Sequence, residues 1–123
     1  MSLFPAGFIS IILIKCRCEP ELLARGDAET KLKNLTEVVQ TKNNERDNAL
    51  TMAKLYDSTA ETPGISAGEK IRYMDLALTF REKAKIINID IEELKSQITV
   101  AEAVYSDAAV NYYECSEEYN YKP

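Results

Sequence analysis

Residues 69–122 read EKIRYMDLALTFREKAKIINIDIEELKSQITVAEAVYSDAAVNYYECSEEYNYK, and neither Gly nor Pro occurs in that stretch. Nothing in it obliges a helix to stop. Counting in sevens from Ala77 gives Ala77, Ala84, Ile91, Ile98, Tyr105, Tyr112 and Tyr119. Counting in sevens from Tyr73 gives Tyr73, Phe80, Ile87, Leu94, Ala101, Ala108 and Cys115. Every one of these positions is apolar or aromatic, at spacings that alternate between three and four. This is the a/d seam of a coiled coil or long bundle helix. The pattern predicts a helix over about 67–119, with Ile91 and Leu94 buried at mid-seam. Ser66-Ala67-Gly68-Glu69 has the form of a capping box at its start, the Ser66 hydroxyl meeting the amide of Glu69.

The first half repeats the spacing less cleanly. Leu32, Leu35, Val39, Ala49, Ala53, Tyr56 and Ala60 follow it, but Lys42 and Arg46 fall on the seam. Both lie in the polar run 41–48, whose Asn and Asp side chains compete for the backbone and weaken a helix. The reading is one helix over about 27–61, weakened or bent near 43–48 and capped by Asp27 after Gly26. A short earlier turn over 20–25 suits Pro20 in a first helical turn.

Between the helices, over 62–66, Thr62-Pro63-Gly64-Ile65 places Pro and Gly where a type II turn wants them. So short a link folds the helices back to back. With the turn centred near Gly64, residue i of the first helix faces roughly residue 128 minus i of the second. Leu35 then lies near Leu94 and Leu32 near Ile98, so the stripes face each other. The fold class expected is all-α: a long antiparallel, coiled-coil-like helical hairpin over 20–123, assembling into a helical bundle.

The same count leaves the second helix uncovered beyond about residue 105, and an apolar N-terminal segment, 1–19, is its available cover. Its run Leu3-Phe4-Pro5-Ala6-Gly7-Phe8-Ile9-Ser10-Ile11-Ile12-Leu13-Ile14 is shorter than the roughly 20 apolar residues a membrane span requires. It lacks the basic start and small-residue cleavage site of a secretory signal. It is expected to pack on the protein or a partner, with membrane contact through residues 3–14 as the alternative.

Composition narrows the chemistry. The chain has 123 residues, 20 acidic against 15 basic, for a formal charge of -5 and no His. The acidic balance argues against nucleic acid as a partner. Absence of His removes Ser-His and Cys-His dyads, the HExxH zinc site and Glu-x-x-His di-iron patterns. Four Gly and four Pro are too few for a sandwich or barrel of tight turns. Cys16-x-Cys18, flanked by Lys15 and Arg17, and the distant Cys115 match no zinc motif. The open alternatives are a soft-metal site, or one disulfide with one free thiol. An intracellular chain keeps its thiols reduced, so Cys115 is expected to be an ordinary packing residue and the setting cytoplasmic. Glu92-Glu93 and Glu114, Glu117 and Glu118 read as a solvated face, with no calcium-loop spacing. Arg25-Gly26-Asp27 and the sequon Asn34-Leu35-Thr36 are short enough to arise by chance, and Gly64 and Gly68 belong to no phosphate loop. Catalytic, cofactor-binding and metal-ligating residues are therefore expected to be none.

Two features point to contact with other macromolecules. Tyr105, Tyr112, Tyr113, Tyr119 and Tyr121 crowd the end of the second helix, among Glu102, Asp107, Glu114, Glu117 and Glu118 and without a Lys or Arg between Ser96 and Tyr121. An acidic, tyrosine-lined helix end suits a partner with a basic surface. Ile71, Leu78, Ile86, Ile89, Val100, Val104 and Val110 lie off the a/d positions. Two helices sharing one seam leave such residues exposed, and a second apolar face calls for another chain. The expected function is a non-enzymatic interaction or assembly protein — adaptor, structural subunit or secretion-type chaperone — acting through coiled-coil contacts with itself, as a dimer or larger, or with another helical protein. The contact residues expected are Ile71, Leu78, Ile86, Ile89, Tyr105, Tyr112, Tyr113 and Tyr119. The alternative is a small membrane-associated subunit anchored through its N-terminal segment, with Cys16 and Cys18 as lipid acceptors.

Overall fold

The structure is a computed structural model that describes the backbone of residues 6–120 and the side chains of residues 18–120. Two helices, α1 (Ala6–Ala60) and α2 (Ala67–Tyr119), pack against each other as an antiparallel hairpin, and no strand occurs among the described residues. Two compact units divide the hairpin. The turn unit comprises Leu35–Gln97, and the terminal unit comprises the parts of both helices outside that range.

In the turn unit, α1 ends as the amides of Glu61 and Thr62 donate to the carbonyls of Ser58 and Thr59, at 3.2 and 3.1 Å. Gly64 follows with φ of 87°, the left-handed conformation that the third residue of a type II turn requires and that Gly adopts without a Cβ penalty. The Glu69 amide then donates to Ser66 Oγ at 3.1 Å, and the Lys70 amide to the Ser66 carbonyl at 3.0 Å. The first of these bonds satisfies one of the orphan donors that open α2, and the second is the first bond of its ladder.

The seam of this unit is rich in alanine. Ala77, Ala84, Ile87 and Ile91 of α2 are buried, and so are Ala49, Ala53 and Ala60 of α1. Small side chains favour the short end of the helix spacing range, about 8–10 Å. Larger residues close the sides: the Tyr56 ring stacks on Tyr73 and Phe80, with centroids 6.1 and 5.7 Å away. Leu94, expected to be fully buried, is half-buried. Arg81 pairs with Asp57 across the two helices.

The polar run does not interrupt α1, which is helical throughout 43–48. Lys42 and Arg46 occupy seam positions and are half-buried. Arg46 solves its position by reaching across: Nη1 donates to Asn88 Oδ1 at 3.1 Å, while Nε and Nη2 approach Asp47 Oδ1 at 3.4 Å. A long side chain can line an apolar seam with its methylenes and carry the charge to the rim. Arg46 facing Asn88, and Asp57 facing Arg81, also correct the expected register. Arg46 and Asp57 meet residues six and ten positions farther along α2 than a count from Gly64 gives, whereas Tyr56 touches Tyr73, one position from the counted one, as well as Phe80.

In the terminal unit the expected helix start near Asp27 is overturned. α1 runs without a break through Asp27, Gly26 and Pro20. Pro20 removes its own amide from the ladder and Gly26 costs about 1 kcal/mol of propensity, but tertiary packing outweighs both. Cys18, Ala28 and Leu32 continue the seam; Cys18 is fully buried and Ala28 nearly so. Within α2, Tyr112 and Cys115 are accordingly met by α1 residues from 18 onward. The Arg25 guanidinium lies over the Tyr112 ring at 4.4 Å, and Cys18 is bonded to Cys115. α2 closes at Asn120, whose φ of 51° gives the left-handed residue common just past a helix end. Among the described residues no helix is long and apolar enough to cross a membrane. The cover or membrane contact expected of residues 3–14, and a role for Cys16, lie outside the described side chains.

Candidate interaction surface

Ile71, Leu78, Ile86 and Ile89 project from α2 in the turn unit with 61, 54, 62 and 67% of their surface exposed. Met74, which the spacing of larger aliphatics did not single out, joins them at 52%. Their placement follows from helix geometry. Ile71 and Ile89 are separated by about five turns, and Ile71 and Leu78 by about two, so all three share one azimuth. Ile91 and Ala77, with no exposed surface, mark the opposite side of the same helix. The helix therefore carries two apolar stripes, one against α1 and one facing away from it. Charge sits between the outward residues: Lys85 approaches Glu82 at 3.5 Å, and Asp75, whose carbonyl accepts the Thr79 hydroxyl at 3.0 Å, lies one turn before Thr79. α1 exposes apolar residues more sparsely in this unit, with Val38, Leu50 and Leu55 at 43, 40 and 55%.

The terminal unit has a different surface. Of the expected contact residues, Tyr113 is 64% exposed, while Tyr105, Tyr112 and Tyr119 lie on the seam and are half-buried. Tyr112 spends one ring face on Arg25. The same contact holds Arg25-Gly26-Asp27 in mid-helix, unlike a tripeptide displayed on a loop. Glu102, Asp107, Glu114, Glu117 and Glu118 are all exposed. A shallow groove of about 390 Å³ runs beside them, lined by Pro20, Glu21, Ala24, Val104, Asp107, Ala108 and Asn111. Glu21 Oε2 is shut off from solvent with no hydrogen-bond partner among the described residues, at a seam position where a coiled coil prefers an apolar side chain.

The thiol chemistry differs from the expectation. Cys115 is not an ordinary packing residue: it forms a disulfide with Cys18, across 97 residues of sequence and with the Cα atoms 5.7 Å apart. That separation lies inside the window the bond requires. The residues that brought the pair together were legible, since counting in sevens back from Leu32 passes through Arg25 to Cys18. Their polarity hid the continuation. Among the described residues no three Cys, Asp or Glu side chains gather as a metal site. Glu92 approaches Lys95 at 3.5 Å on the solvated face and takes no part in a cluster.

No protein-family model matches the chain, and neither a curated protein nor a solved structure was found to be similar to it.

Proposed function

We propose that this chain is an interaction and assembly protein, not an enzyme, and that it works by docking the outward face of α2 against another helix. The observation that carries this reading is the second stripe: Ile71, Leu78, Ile86 and Ile89 each keep more than half of their surface open, on the side of α2 away from its partner helix. Scattered exposed aliphatics are ordinary on a soluble domain, but a row of them at helical spacing is the form that helix-binding surfaces take. Tyr113 and the acids around it supply a separate polar surface, suited to a basic partner, at the other end of α2.

Affinity capture from the native source, comparing the natural chain with Ile86→Glu, tests the reading. Partners retained by the first and lost by the second are expected. Identical retention by both would overturn it. The setting is a separate question. Reduced thiols would suit the cytoplasm, whereas a persistent Cys18–Cys115 bond fits an oxidising compartment better. The mass of the natural protein with and without alkylation, measured before any reductant is added, decides between them.

A further inference from the structure

The outward stripe has an internal symmetry that the capture experiment does not address. Read from either end of 71–89, the outward pattern agrees over its first three members and departs at Leu78, whose counterpart is Glu82. An isoleucine comes first, Ile71 or Ile89; an apolar residue follows three positions inward, Met74 or Ile86; a charge follows next, Asp75 or Lys85. The apolar residues match in kind, and the charges match in position with opposite sign. Apolar residues that match apolar ones, and charges that match opposite charges, suit an antiparallel two-fold contact, because residue i then meets its complementary counterpart j twice.

We propose that the occupant of this face is a second copy of the same chain, with the two α2 helices antiparallel about a two-fold axis level with residue 80. Ile71 packs against the partner's Ile89, and Met74 against the partner's Ile86. Asp75 lies beside the partner's Lys85, on both sides of the axis. Leu78 meets the partner's Glu82, whose charge is already accompanied by Lys85 at 3.5 Å within its own chain. The inference rests on the docking role proposed for this stripe and adds the identity and direction of the partner.

Area supports the assignment. Ile71, Met74, Leu78, Ile86 and Ile89 are 52 to 67% exposed. At roughly 180–200 Å² for a fully exposed side chain of this size, each copy offers about 550 Å², so the pair would bury about 1,100 Å², just past the 1,000 Å² or so that specific interfaces clear. An interface of that size belongs to a dimer that dissociates on dilution.

Sedimentation equilibrium of the full chain over a hundredfold concentration range provides the test, with far-UV circular dichroism confirming that each variant folds. The natural chain is expected to show a monomer–dimer equilibrium. Ile86→Glu, which removes two apolar contacts and places two charges within the apolar interface, should weaken association by at least about a hundredfold. Asp75→Lys and Lys85→Asp each oppose like charges twice and should weaken it by roughly tenfold. The double variant Asp75→Lys/Lys85→Asp restores opposite charges at both sites and should recover most of the loss. A double variant as weak as the singles overturns the antiparallel register. Association that survives Ile86→Glu unchanged places the self-contact elsewhere and also overturns the proposal. A natural chain that stays monomeric overturns self-association, while partners lost on Ile86→Glu in the capture experiment would leave the docking role standing.

Discussion

Ile89 and Ile91 are the same residue type, two positions apart on one helix, and they should respond to truncation very differently. Ile91 has no exposed surface, whereas Ile89 is 67% exposed. Replacing either by Ala gives the same gain in intrinsic helix propensity, so the difference between the two variants reports packing alone. Ile91→Ala deletes three buried carbons, about 2.4 kcal/mol at roughly 0.8 kcal/mol for each. A residual void of some 50 Å³ would add about 1 kcal/mol, at roughly 24 cal/mol per Å³. The expected loss is about 3–4 kcal/mol for Ile91→Ala, against a change within about 0.5 kcal/mol for Ile89→Ala. Urea unfolding followed by circular dichroism, with the disulfide intact, measures both. The work belongs at low protein concentration, because association through Ile89 would add to its apparent stability. Equal losses at the two positions, or a loss below about 1 kcal/mol at Ile91, would refute the seam on which the fold rests.

Opening the disulfide by Cys115→Ser should cost about 2–5 kcal/mol, because a ring of this length has an ideal chain-entropy contribution near 4.7 kcal/mol. The midpoint of urea unfolding with and without reductant checks it, and no shift would mean that the bond restrains nothing. Gly26 and Gly64 should separate cleanly. Gly26 is helical with open space where a Cβ would stand, so Gly26→Ala should stabilise by about 0.5–1 kcal/mol. Gly64 has equally open space but φ of 87°, so Gly64→Ala should destabilise by about 1 kcal/mol. Thermal melts of the two variants should move in opposite directions. Glu21→Leu should raise stability by about 1–3 kcal/mol, since it removes a buried oxygen that lacks a partner and restores an apolar seam. A loss there would mean that Glu21 has a partner in solution.

The hairpin was legible because its strongest signals are local. The seven-residue repeat of α2, the Pro-Gly turn and the Ser66 cap each specify structure within a few residues of themselves. What escaped reading depended on distance. Arg46 looks like a break in a stripe until Asn88 is placed opposite it. Gly26 and Pro20 look like the edge of a helix until Cys18 and Cys115 show that the chain is held on both sides of them. Tyr112 reads equally well as seam and as surface, and only Arg25 lying on its ring decides how one face is used. The outward stripe was visible residue by residue, but how much of each side chain stays exposed among the described residues is a property of the packed pair of helices.

The bond between Cys18 and Cys115 gives the hairpin a mechanical character that its non-covalent contacts alone would not supply. A hairpin pulled by its two ends opens like a zipper, because the load falls on one layer of side chains at a time. Here Cys18 and Cys115, 97 positions apart in sequence, close the chain between them into a covalent ring. Tension entering at one cysteine leaves at the other through sulfur, and the helices within the ring carry none of it. Reduction would turn the same molecule from a clasp that withstands pulling into one that pays out its length under a small force.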